Sequence, residues 1–274
     1  MKKIALLLFC QLVFAVGLFA QSKDTSISAK RQARIDRRAE RLANTHVFNA
    51  KSFGFVYQNE QHTVVSPLVY SGVGLALSNE RQRFLYSTMT RNYGSASYNL
   101  LKAAESTSLG HSVTAQFGYD YLKKAFFENF HIGGMVQMNA NVTIKPELSN
   151  NILTSEVFAN LGVSSHYKRD FKLFNRPLQL EVSARLPLLG VVNLLPDYSY
   201  SFDKVPNFSF FSLHNSFLPQ TQVWLNLPTS KRYPMRQYRV GYEWRLNRFA
   251  SGNDHHVTTG THTLHVLATL DKWR

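Results

Sequence analysis

The chain has 274 residues, 44% of them hydrophobic, which is ordinary for a protein that folds and enough for one large β domain or two small ones. Its 31 Lys and Arg against 17 Asp and Glu give a net charge of +14, a balance that suits anionic lipid headgroups, lipopolysaccharide phosphates or nucleic acid. The lone cysteine, Cys10, excludes an internal disulfide, and its place inside an apolar leader leaves no thiol for a metal site or a nucleophile in the processed chain.

Met1 to Ala20 carries Lys2 and Lys3, then an apolar run from Ile4 to Phe19, then Ala20 before polar residues, the pattern of a cleaved secretory signal peptide. Export makes nucleic acid an improbable partner and favours anionic lipid or sugar. Residues 21–63 read as a basic periplasmic segment, partly helical or disordered. Within it, Ile27 to Ala43 holds six cations (Lys30, Arg31, Arg34, Arg37, Arg38, Arg41) against Asp36 and Glu40, or +4. Ile35, Ala39 and Leu42 give this stretch a thin helical stripe.

From residue 64 onward the periodicity changes to two. Val69, Val73, Leu75 and Leu77 oppose Tyr70, Gly72, Gly74, Ala76 and Ser78, and small residues on that second face suit a tight barrel interior. Phe84 to Tyr93, His111 to Tyr121, Phe130 to Ile144, Val157 to Ser164 and Leu178 to Arg185 follow as strands, the longest of them opposing apolar residues to Gln137, Asn139, Asn141 and Thr143. Phe208 to Leu218, Gln220 to Leu227, Gln237 to Asn247 and His262 to Lys272 bring the count to ten. In Gln237 to Asn247, Tyr238, Val240, Tyr242, Trp244 and Leu246 share one face, with Arg239, Glu243 and Arg245 on the other.

So many apolar faces would overfill a soluble sandwich, and no helix offers to cover them; an antiparallel transmembrane β-barrel with its greasy side toward lipid absorbs them all and closes every strand edge. The expected fold class is therefore all-β, a barrel of about ten strands over residues 64–274, with eight to twelve compatible. On this count the connections at 94–110 and 188–207 fall at the end of the barrel that holds the amino terminus, where outer-membrane barrels have short turns.

Several short segments in order strengthen that expectation: SerProLeuValTyrSerGly at 66–72, AsnGluArg at 79–81, ProLeuLeuGly at 187–190, ProAspTyr at 196–198 and PhePheSerLeuHisAsn at 210–215. With the late pair of alternating strands, they resemble a Bacteroidetes-type family of outer-membrane β-barrels of unknown function. The resemblance implies a signal-bearing barrel in the cell outer membrane, inserted by the barrel-insertion machinery and bathed in outer-membrane lipid and lipopolysaccharide. It brings no catalytic residues. The chain departs from the usual insertion signal in ending Trp273, Arg274.

Glu181, Arg185, Arg239, Glu243 and Arg245 all point to the lumen on this reading. Buried charges pair because an isolated one is too costly, so they are expected to form a polar network; with three arginines and two glutamates, an anion-selecting constriction is the functional counterpart. The competing reading is a lipid hydrolase or deacylase in which His214 activates Ser216 from the same strand face. His255, His256, His262 and His265 cluster in sequence, but adjacent or opposite-facing histidines make a poor ligand set, so no metal or cofactor is expected. A structural role or small-solute passage is the function this sequence favours.

Overall fold

A computed structural model describes residues 29–63, 66–104, 106, 108–146, 153–196, 208–228, 236–251 and 255–273. The leader expected at Met1 to Ala20 lies outside these residues. Two compact units divide at Asn44 and Thr45. In the first, helix α1 spans Ala29–Ala43. Gln32 donates to Asp36 one turn on, and both the backbone and the side-chain N–H groups of Asn44 donate to the Glu40 carbonyl, capping the carboxyl end.

The second unit is built from the period-two pattern. Its strands are β1 (Thr45–His62), β2 (Ser66–Leu85), β3 (Thr88–Ala103), β4 (Gly110–Lys124), β5 (Phe130–Ile144), β6 (Leu153–Leu173) and β7 (Arg176–Pro196), followed by β8 (Phe208–Ser212), β9 (Ser216–Phe217), β10 (Gln220–Asn226), β11 (Arg236–Ser251) and β12 (His255–Trp273). Each of β1 to β7 pairs antiparallel with the next, β12 pairs with both β11 and β1, and β10 joins β7 to β11. The sheet thus closes into a barrel of ten staves among the described residues. Closure leaves no bare edge, the condition a sheet must meet to sit in hydrocarbon.

Alternation fixes the faces. Val73, Leu75, Leu77, Phe117 and Val136 are half or more exposed on the outside, whereas Ala76, Gln116, Gln137 and their like are buried inside. Inward Gly72 and Gly74 let β2 approach β3 closely: a Cβ on Gly72 would stand 1.7 Å from the Leu100 carbonyl oxygen, and one on Gly74 2.0 Å from that of Tyr98.

The expected count of ten stands, but its members differ. Residues 45–62, assigned from sequence to the basic segment, form β1 in register with β2 and β12, so the barrel starts at Thr45 and not at residue 64. Conversely, Phe208 to Leu218 and Gln220 to Leu227 are one interrupted stave. β8 pairs with the far part of β7, a turn at 213–215 intervenes, β9 pairs with β11, and β10 bridges β7 and β11. Adding β1 reverses the parity of every connection before the interrupted stave, whose merging restores it afterwards. Gly94 lies within β3 and Leu188 within β7, and the strand ends that the long connections 145–152 and 197–207 join, at Ile144, Leu153, Pro196 and Phe208, are at the end opposite Thr45. The end that holds Thr45 has the two-residue turns at 86–87 and 174–175, the five-residue connection at 125–129 and a longer one at 227–235.

Candidate functional site

The site is the lumen, and each inward position on a strand contributes to it by the pleat alone. Asp120 of β4 is its hub. Arg91 of β3 donates to it from Nε at 2.8 Å and from Nη2 at 2.5 Å, and Arg185 of β7 donates from Nε at 3.2 Å. Arg91 also reaches across to Ser183 of β7 at 2.6 Å. The Arg185 guanidinium lies over the Tyr93 ring, 3.6 Å from its centroid, and the Tyr93 hydroxyl donates to Gln137 at 3.0 Å. Two cations thus share one carboxylate, and an aromatic face takes part of the surplus charge.

A second group centres on Glu243 of β11. Its carboxylate accepts from Gln220 at 3.0 Å and Gln222 at 2.7 Å, pairs with Arg245 Nε at 2.6 Å, and lies 3.6 Å from His265 Nε2. Arg245 and Gln220 each bond Gln116 on β4, at 3.0 and 2.8 Å, so side chains meet directly across the barrel. Nearer the end that holds the long connections, Glu60 of β1 takes Thr143 of β5 at 2.9 Å and pairs with Lys145 Nζ at 2.9 Å, with that ammonium 4.4 Å from the centre of the Tyr70 ring. Beside these polar groups, Phe158, Val192, Phe211, Leu218, Phe249 and Val257 form a buried apolar cluster. Its three phenylalanines meet edge to face at 6.0 to 6.5 Å.

All five residues expected in the lumen are inward, but they do not form one network with each other. Glu243 and Arg245 pair directly. Arg185 instead takes Asp120, and Glu181 takes Lys168 Nζ at 3.1 Å and the Asn226 amide at 2.7 Å. Arg239 stands 3.9 Å from Glu80 and stacks on Trp224, 3.7 Å from the ring. Trp224 in turn lies across Gly241, where a Cβ would be 2.2 Å from the indole. Gly241 therefore leaves room on the polar face of β11 for its cross-strand tryptophan.

Arg91, Asp120, Glu80 and Lys168 join the network without having been among the residues expected there. Asp120 carried a signal, as the sole carboxylate on the polar face of its strand. Arg91 and Glu80 carried little, because each sits where alternation is blurred by neighbouring polar residues.

His214 and Ser216 do not meet as a pair. The turn at 213–215 breaks the strand, His214 bonds the hydroxyl of Ser212 through Nδ1, and Ser216 donates to the Ser212 carbonyl at 2.9 Å. The same turn shifts the phase of alternation: Phe210 points out and Phe211 in, yet Ser216 and Leu218 both point in. His262 bonds Tyr242 on the outer face while His265 is buried. The His255 side chain lies outside the described residues, among which no group of three or more His, Cys, Asp or Glu is placed to hold a metal ion.

Residues 4–266 match the family described as "Protein of unknown function (DUF3316)". The chain belongs to that family. No curated protein matches it. Among solved structures, this DUF3316 chain is similar to the translocator domain of the autotransporter NalP from Neisseria meningitidis, at 8% identity over 91% of this chain and 100% of that one, with a TM-score of 0.38. It is also similar to a deltaS2S3 mutant of the monoaromatic hydrocarbon channel TodX, at 7% identity over 84% and 90% of the two chains and a TM-score of 0.33.

Proposed function

We propose that this chain is an outer-membrane barrel whose lumen is filled by its own side chains, so that it serves as a structural wall and not as a standing pore. The observation that carries this is the set of bonds crossing the lumen between staves that are not neighbours: Gln116 to Gln220, Arg91 to Ser183, Arg185 to Asp120 and Glu60 to Thr143. Small-solute passage would require several of these to open together. The apolar outer wall supports lipid contact, and the short turns at 86–87 and 174–175 support a periplasmic position for the end that holds Thr45. Export through a signal peptide, insertion by the barrel machinery and exposure of the long connections to the exterior, beside lipopolysaccharide, complete this reading.

Single-channel recording tests it. The folded protein in a planar bilayer is expected to stay silent, while an Asp120→Ala, Glu243→Ala double variant that still inserts is expected to show discrete steps. Steady conductance from the unaltered chain would restore solute passage. The hydrolase alternative finds no support in the geometry, since among the described residues neither His214 nor a carboxylate bonds Ser216.

A further inference from the structure

Along the outer face of β2, apolar residues give way abruptly to polar and basic ones: Val73, Leu75 and Leu77 are followed by Asn79, Arg81 and Arg83, all exposed. The neighbouring β1 changes in the same direction, from Tyr57, Phe55 and Phe53 to Lys51 and Asn49, which the register sets beside Leu77, Asn79 and Arg81. A groove of about 870 Å³ straddles this change, because β3 places Gly94 and Ala96 between the larger Leu77 and Phe117. It runs on through Arg81 and Asn92 into a second hollow of about 490 Å³, walled by Arg83, Tyr119 and Tyr121.

Among the described residues, no carboxylate lies within ion-pair distance of Lys51, Arg81 or Arg83. An apolar trough that ends in three uncompensated cations is complementary to a molecule with a hydrocarbon tail and an anionic head. At about 3.3 Å per residue, the four steps from Leu77 to Arg81 span roughly 13 Å, enough for part of an acyl chain to lie in the trough with its phosphate at the arginines. Tyrosines beside such a head sit where amphipathic rings are favoured.

We propose that this groove binds one anionic glycerophospholipid, with an acyl chain along Phe53, Leu77 and Ala96 and the phosphate between Arg81 and Arg83. The proposal rests on the barrel's spanning a membrane. Arg83→Gln with Arg81→Gln removes the head contacts, Ala96→Trp fills the trough, and Lys102→Gln, a change at an exposed cation on the far part of β3, is the control.

Native mass spectrometry of the full chain in detergent, titrated with phosphatidylglycerol, phosphatidylcholine or lipid A, reads retention directly. Phosphatidylglycerol is expected to be held over phosphatidylcholine, with retention falling about tenfold or more in the double glutamine variant, as the loss of two cation contacts implies. Ala96→Trp is expected to lower retention too, and Lys102→Gln to leave it unchanged. Equal retention of the two phospholipids, preference for lipid A, or indifference to the double variant overturns the proposal. Vesicle flotation of the unaltered chain, with heat-modifiable mobility to report folding, is run alongside: a folded barrel that does not float sinks the membrane reading itself, a failure distinct from loss of lipid preference in a chain that does.

Discussion

Arg185 stands over the face of Tyr93 at 3.6 Å while its Nε reaches Asp120 at 3.2 Å, so one side chain ties β7 to both β3 and β4 across the interior. Arg91 completes the cluster on the same carboxylate. Such a cluster is most stable whole: among the described residues Asp120 is the carboxylate within ion-pair distance of Arg185, and without it Arg91 keeps only Glu80, at 3.7 Å.

Asp120→Ala is therefore expected to destabilise the barrel by about 3 to 5 kcal/mol, the usual result of leaving buried charge uncompensated. Urea unfolding of the protein in lipid, followed by heat-modifiable gel mobility, measures it. The triple change Asp120→Leu, Arg91→Met, Arg185→Leu is expected to recover much of the loss, since replacing a whole buried ionic group by apolar residues is often neutral.

At Gly72 the sheet has no room for a methyl group. Gly72→Ala is expected to cost about 1 to 3 kcal/mol, as overpacking does elsewhere, because β2 or β3 must shift to relieve the contact with the Leu100 carbonyl. Gly260→Ala serves as the comparison, since nothing lies within 4 Å of a Cβ there. Equal stability of the two variants would refute the close approach.

Val240 faces outward on β11, between the outward Tyr238 and Tyr242. Val240→Arg is expected to cost about 2 to 4 kcal/mol near the bilayer midplane, whereas Val240→Leu is expected to be almost neutral. Unfolding titrations in vesicles, compared with the same variants in a detergent that lets the guanidinium reach water, separate a lipid-facing cost from a packing cost.

Ser216→Ala is expected to lower stability by about 1 kcal/mol through loss of its buried bond to the Ser212 carbonyl, and His214→Ala to have little effect. A double-mutant cycle is expected to give coupling within about 0.5 kcal/mol, as for residues that share no interaction. Strong coupling would return the two residues to a common site.

What the sequence made legible was the face of most strands, because alternation survives any choice of partner. Tyr238, Val240 and Tyr242 point out and Arg239 and Glu243 in, as their spacing requires. The ion pairs were not legible: Arg185 meets Asp120 through strand order and stagger, which no local pattern encodes. β1 was hidden because Asn59, Glu60, Gln61 and His62 are polar on both faces, which resembles a loop, although Phe53, Phe55 and Tyr57 alternate with Ser52, Gly54 and Val56 just before them. The error at 208–226 had the opposite cause. A phase slip at 213–215 lets Phe211 and Leu218 enter the same cluster from one stave, which a strict period of two cannot describe.

The pairing of β1 with β12, from Val47 with Trp273 to His62 with Val257, makes the strand nearest the amino terminus of the described barrel the partner of the one nearest its carboxyl terminus. No shorter part of the chain can complete the cylinder, and every incomplete form exposes the open edges of two strands at once. Assembly must then wait for the final strand, with the earlier ones kept from pairing with other chains, so the time spent between synthesis and closure is when this molecule is most exposed to aggregation.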